Sequence, residues 1–139
     1  MPPRRMLLPL ILALAAGCSH DGSDSGREPV FPVQGQVLFQ GKPATGAQVV
    51  FQRVGTGGNA PVRASGQVDT AGKFVLTTYA AGDGAPAGEY EVTVERWISR
   101  NDNPAVNQLP SRYQRGKTSG LRASITTGEN QLPAFKLLR

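Results

Sequence analysis

The sequence is poor in the residues that carry most catalytic and metal chemistry. Its 139 residues include one cysteine, one histidine and one tryptophan, and aromatics make up 6%. Cys18 alone forms no internal disulfide and no two-cysteine metal site. His20, the only histidine, lies in a polar stretch near the N-terminus, which leaves the rest of the chain without an imidazole base. A serine nucleophile would lack its partner for the same reason. Asp69, Asp83 and Glu89 are too dispersed to supply the six to eight or so oxygens that calcium takes. His20 with Asp21 and Asp24 would need a polar chain to be ordered first, so no metal and no cofactor is expected. No apolar run reaches bilayer length, because residues 6–16 fall well short of a core about 30 Å thick. The formal charge is +5, and without Arg4 and Arg5 of the leader it is +3. The basic residues form no stripe interleaved with aromatics, so nucleic acid is not expected as a partner. One loose basic cluster, Arg112, Arg115 and Lys117, reads as a solvated loop or as a contact for an acidic partner.

What is present points to strands and turns. Seventeen glycines and eleven prolines, with no long apolar helical stripe, favour short strands in a single domain. Residues 89–95 alternate strictly: Tyr90, Val92 and Val94 face one way, and Glu89, Glu91, Thr93 and Glu95 the other. Residues 73–79 alternate as well, with Phe74, Leu76 and Thr78 on one face. Asp69 to Gly72 reads as a tight turn in which Asp69 bonds nearby backbone. Asp83, set between glycines, is expected to bond loop amides, and 73–95 as a whole reads as a β-hairpin. Further strands are expected at 33–40, 47–53, 62–68, 121–125 and 131–138, with Pro133 marking an edge or a bulge. About seven strands at this spacing predict an all-β, two-sheet antiparallel sandwich of the immunoglobulin-like kind.

The N-terminus carries an address. Arg4 and Arg5 precede an apolar run, the anatomy of an export signal over residues 1–17. The arginine pair faintly resembles a twin-arginine signal, but the apolar core suits an ordinary charged n-region. Leu14-Ala15-Ala16-Gly17-Cys18 resembles the lipobox of bacterial lipoproteins, although that family prefers a larger aliphatic residue where Ala15 stands. The resemblance implies cleavage before Cys18, lipidation of its thiol with acyl chains such as palmitate, and anchoring in a membrane. Each buried methylene contributes about 0.8 kcal/mol, so two or three chains would hold stably. The alternative is an ordinary secretory signal with Cys18 a free thiol. Ser19 rather than aspartate after the cysteine implies, by the same resemblance, the outer membrane where there are two membranes. Residues 18–32 are rich in Gly, Ser and Asp and are expected to be a flexible tether to a domain at 33–139.

Three blocks in that domain resemble the carboxypeptidase regulatory-like domain, a transthyretin-like (prealbumin-like) sandwich. They are V-Q-G-Q-V-L-F-Q-G-K-P-A-T-G-A-Q-V-V-F from Val33, D-T-A-G-K-F-V-L from Asp69 and G-E-Y-E-V-T-V from Gly88. The tail from Lys117 to Leu132 resembles the version found in short bacterial lipoproteins. The resemblance implies a fold and says little about activity. Tyr90 is expected to send its hydroxyl back to the preceding loop, as a tyrosine corner does. Some transthyretin-like proteins are hydrolases, but their histidines and Tyr-Arg-Gly-Ser ending are missing here, where the chain ends Phe-Lys-Leu-Leu-Arg. The protein is therefore expected not to be an enzyme.

The long connection at 98–118 is the expected place for function. Trp97 has the parity of Glu95 and should point outward. With Tyr113, Arg96, Arg112 and Arg115 it would form a patch for a glycan, a peptide or an envelope protein. The opposing reading is that Trp97, Leu109 and Tyr113 pin the connection onto the sheet. The expectation is a lipid-anchored, non-enzymatic cell-envelope module for structure or protein interaction. A carbohydrate- or peptide-binding module is the alternative.

Overall fold

The computed structural model describes residues 26–55 and 61–139. The export signal, Cys18, His20 and the first part of the tether lie outside the described residues. The elements in order are β1 (Val33–Phe39), β2 (Lys42–Pro43), β3 (Gln48–Arg53), β4 (Arg63–Gln67), β5 (Lys73–Val75), β6 (Gly88–Glu95), β7 (Trp97–Ile98) and β8 (Val106–Asn107). A 3-10 turn (Ser111–Gln114), a helical turn α1 (Gly116–Ser119), β9 (Leu121–Ile125), β10 (Asn130–Gln131) and β11 (Phe135–Leu137) follow. The protein is an all-β sandwich.

One layer is the antiparallel sheet β4-β3-β6-β9. The other is built on β1, which pairs with β2, β5, β10 and β11. Backbone bonds from Leu76 to Val33 and from Val37 to Gly72 put β5 and β2 on one side of β1. Bonds from Asn130 to Pro32, Leu132 to Gln34 and Gln40 to Leu137 put the C-terminal segment on the other. That segment runs parallel to β1, contrary to the expectation of a wholly antiparallel sandwich. Pro133 breaks it between β10 and β11, and no described strand pairs with its outer side. A residue without an N–H is tolerated at such an edge.

Alternating apolar residues close the core. Val33, Val37, Phe74, Leu76, Phe135 and Leu137 come from the first-strand layer. Val49, Phe51, Tyr90, Val92, Val94, Ala123 and Ile125 come from the other. Phe51 lies 6.0 Å from Phe74, 6.1 Å from Tyr90 and 6.0 Å from Phe135, centroid to centroid, so one ring touches three others. Tilted contacts of this kind suit the ring quadrupoles.

The expected hairpin of 73–79 with 89–95 does not form. β5 belongs to the β1 layer and β6 to the other, and they face each other across the core. The cause lies in the segment between them. Asp83 accepts the amides of Thr78 (2.7 Å), Tyr79 (2.9 Å) and Ala80 (2.9 Å), so these donors are withdrawn from any ladder. Burial alone would raise the Asp83 carboxyl, but these amides outweigh it and hold it below its ordinary value. The loop-bonding role expected of Asp83 is thus observed. Thr77 bridges to Ser65 instead, which carries the chain from one layer to the other. The two layers meet so closely here that a Cβ on Gly66 would stand 2.6 Å from the Val75 carbonyl oxygen.

The packed region starts before Val33. Arg53 donates through both terminal nitrogens to Glu28, each at 2.6 Å. Phe31 exchanges two backbone bonds with Ala85. The hydrogen bonds from Arg53 hold the Glu28 carboxyl below its ordinary value, and the carboxylate raises the guanidinium in turn.

Tyr90 forms the expected corner: its hydroxyl donates to the Pro86 carbonyl at 2.8 Å within the core. Burial pushes this phenol from 10.0 up to about 12. The unfolded chain therefore ionises first, and stability present below pH 10.0 declines as pH rises towards 12.

Four outcomes are expected. Gly66→Ala, although its backbone is ordinary, lowers stability by about 2–4 kcal/mol in urea unfolding. Gly46→Ala, at φ +80° with open space around it, costs only about 1 kcal/mol. Tyr90→Phe costs about 1–3 kcal/mol at neutral pH, because the Pro86 carbonyl loses its partner. The same variant flattens the loss of stability between pH 10.0 and about 12 seen in the parent.

Candidate functional site

Residues 96–119 leave the four-stranded sheet after β6 and return at β9. The long loop expected at 98–118 carries secondary structure of its own. β7 and β8 form a small antiparallel ribbon, with Trp97 opposite Asn107 and Ile98 opposite Val106. Asn101 and Asp102 take positive φ, 50° and 59°, and Asn103 donates to the Arg100 carbonyl at 3.1 Å. Two consecutive left-handed residues match the twist of a ribbon, and asparagine and aspartate tolerate that conformation. The Asn101-Asp102 pair was the sequence signal for this turn.

The ribbon is fastened at its base by Asn107, which sequence reasoning did not single out. Its Oδ1 accepts the Arg96 amide at 2.9 Å and the Leu109 amide at 3.2 Å. Gln108 donates its amide to the Arg96 carbonyl at 2.8 Å. Farther along, Leu109 and Tyr113 enter the core, each 4% exposed. The Tyr113 hydroxyl donates to the Leu138 carbonyl (3.1 Å) and accepts the Leu138 amide (2.9 Å). Arg112 lies 4.8 Å over the Tyr113 ring and donates to the Leu138 carbonyl at 2.7 Å. Gly116 is needed for α1 to lie against β6, since a Cβ there would stand 2.9 Å from the Glu91 Cβ. Gly120, at φ +69°, ends the helical turn.

The five residues expected to form one patch differ in exposure and in partners. Trp97 points outward, 55% exposed, with its indole N–H donating to Glu95 at 2.6 Å. Tyr113 points inward and offers no ring face to a ligand. Its hydroxyl has found partners in the C-terminal backbone, so burial costs little hydrogen bonding. Arg112 covers that ring, and Arg115 lies with it beside an open hollow of about 270 Å³ also lined by Ser111, Gln114 and Thr118. Leu109 and Tyr113 therefore pin the connection, as the opposing reading held, whereas Trp97 does not. Val106, across the ribbon, is 59% exposed.

Arg96 differs from the other two arginines. Its Nε is buried with no hydrogen-bond partner among the described residues, and so is Asn107 Nδ2. Arg96 also lines a hollow of about 260 Å³ with Phe39, Gln40, Lys42 and Pro43. Among the described residues no group of three or more His, Cys, Asp or Glu side chains is placed to hold a metal ion.

No protein-family model matches this chain, and no curated protein does. Among solved structures, a 9R-lipoxygenase from Cyanothece is similar at a TM-score of 0.44 and 18% identity over 78% of this chain. The chain spans 16% of the length of that lipoxygenase.

The geometry sets a contrast between the two aromatic residues. Trp97→Ala is expected to change unfolding free energy by less than about 0.5 kcal/mol, as for other exposed side chains. Tyr113→Ala is expected to cost about 3–5 kcal/mol, by analogy with other large core truncations. Intrinsic fluorescence of the parent should be red-shifted and quenched by iodide, since Trp97 is the only tryptophan.

Proposed function

We propose that this protein is a lipid-anchored, non-enzymatic β-sandwich of the bacterial cell envelope that acts as a structural or protein-interaction module. The observation that carries this reading is how the fold uses its perturbed ionisable groups. Asp83 is occupied by three loop amides, Arg53 and Glu28 by each other, and Tyr90 by the Pro86 carbonyl. Their shifted protonation belongs to the scaffold, whereas a catalytic group needs a shifted side chain open to a substrate. The fold presents a ribbon, fastened at its base by Asn107, that carries Trp97, a side chain that often anchors protein contacts.

The anchor is supported by the sequence around Cys18 and by the resemblance to bacterial lipoproteins. The attachments of Glu28 and Phe31 leave the polar residues after Cys18 to join the lipid to the sandwich. The outer membrane is the expected destination in a two-membrane cell. The carbohydrate-binding alternative loses its two-aromatic platform with Tyr113 buried, and a peptide or protein partner suits the ribbon better.

Growth with a labelled fatty acid tests the anchor. The label is expected on the full-length protein and absent from Cys18→Ala. Globomycin is expected to make the uncleaved precursor accumulate. An unlabelled parent, or a Cys18→Ala variant that still fractionates with membranes, would refute the anchored reading.

A further inference from the structure

We propose that the hollow between the β1–β2 turn and the β6–β7 junction binds a carboxylate carrying an apolar substituent. The argument starts from the two buried side-chain atoms left without partners, Arg96 Nε and Asn107 Nδ2. Of the two residues only Arg96 lines the hollow, and Asn107 is tied to it by the bond from the Arg96 amide to Asn107 Oδ1, so its side-chain signal reports on the same junction. Arg96 Nε is a donor that lacks an acceptor. An unsatisfied buried donor is costly, and more so when it belongs to a charged group.

The surroundings select an anionic acceptor. Among the described residues Arg96 and Lys42 line the same hollow of about 260 Å³, and no carboxylate does. Glu95, the nearest acid in sequence, is taken by the Trp97 indole. A single water could satisfy Arg96 Nε, but a carboxylate also complements the charge of both residues that line the hollow. The planar guanidinium presents parallel N–H groups that fit the two oxygens of a carboxylate. The Phe39 and Pro43 side chains supply an apolar wall beside the charged groups, which suits an apolar substituent on the acid. Gln40, held at φ 50° in the two-residue turn between β1 and β2, completes the rim. This inference uses only groups of the sandwich, so it stands or falls independently of the lipid anchor.

The test is a titration of the full-length ¹⁵N-labelled protein in non-ionic detergent, read by the Arg96 Nε and Asn107 side-chain signals and by Trp97 fluorescence. The probes are N-acetyl-leucine, its uncharged amide and inorganic phosphate. N-acetyl-leucine is expected to shift both nitrogen signals saturably, while the amide leaves them unmoved. Arg96→Lys, which keeps the charge but loses the fork, is expected to weaken binding at least about tenfold. Lys42→Ala, at an exposed position, is expected to weaken it about two- to fivefold while leaving the fold intact. If Arg96→Lys does not fold, the acid-against-amide comparison and Lys42→Ala decide the matter. A tetrapeptide ending in leucine distinguishes the two sources of such a carboxylate. Tighter binding than N-acetyl-leucine assigns a polypeptide C-terminus, and equal binding assigns a free organic acid. Equal binding of acid and amide, no saturable shift, or phosphate binding as tightly as the acid would overturn the proposal.

Discussion

The contact on which the sandwich depends is Phe51 against Phe74, Tyr90 and Phe135. These four rings come from β3, β5, β6 and β11, so one cluster joins both layers. Phe74 and Phe135 also stack on each other, 6.3 Å apart and 12° from parallel. A protein with 6% aromatics thus concentrates four of them at a single point. Large rings bury more apolar area per residue than aliphatic side chains, which matters in a domain of this size. Gly35 belongs to the same constraint, because a Cβ there would stand 2.7 Å from the Phe74 ring.

Two polar devices hold the ends of the strands that carry these rings. Asp83 gathers the amides that follow β5 and turns the chain towards the other layer. Tyr90 then ties the start of β6 to Pro86, within the same crossover. Each device is an acceptor or donor matched to backbone groups that would otherwise be buried unpaired. A third, Asn130, sits at the far side, where its Oδ1 accepts the Thr126 amide at 2.9 Å and its Nδ2 donates to the Gly128 carbonyl at 3.0 Å. These groups serve the scaffold, and the ribbon of β7 and β8 extends from it as a surface element.

The excursion at 96–119 is fastened from both sides yet leaves one large side chain in solvent. Tyr113 and Arg112 lock it to the C-terminal strand, and Asn107 locks it to the end of β6. A tryptophan on so fixed a base loses little entropy on binding, which is the physical reason such positions suit recognition. The same fastening satisfies the Arg96 backbone amide while its side-chain Nε stays buried without a partner among the described residues.

Much of this was legible in the residues themselves. Period-two alternation located the seven strands of three or more residues, and turn chemistry anticipated the bonds of Asp69 to the Ala71 and Lys73 amides, of Asp83 to its loop and of Tyr90 to Pro86. Parity pointed Trp97 outward but left open whether it pins the connection, and its exposure was settled by the ribbon. Local pattern determines which face of a strand is apolar, because successive side chains alternate across the pleat. It does not determine which neighbour the strand pairs with. β5 and β6 each read correctly as a strand, yet they lie in opposite layers, and β11 runs parallel to β1 across a separation of about a hundred residues. Nor could local pattern bury Tyr113, whose place was decided by the backbone of Leu138 on the far side of the chain. Partner choice is a long-range matter of which apolar faces and unpaired backbone groups can be satisfied together, and only the tertiary structure solves that problem for all strands at once.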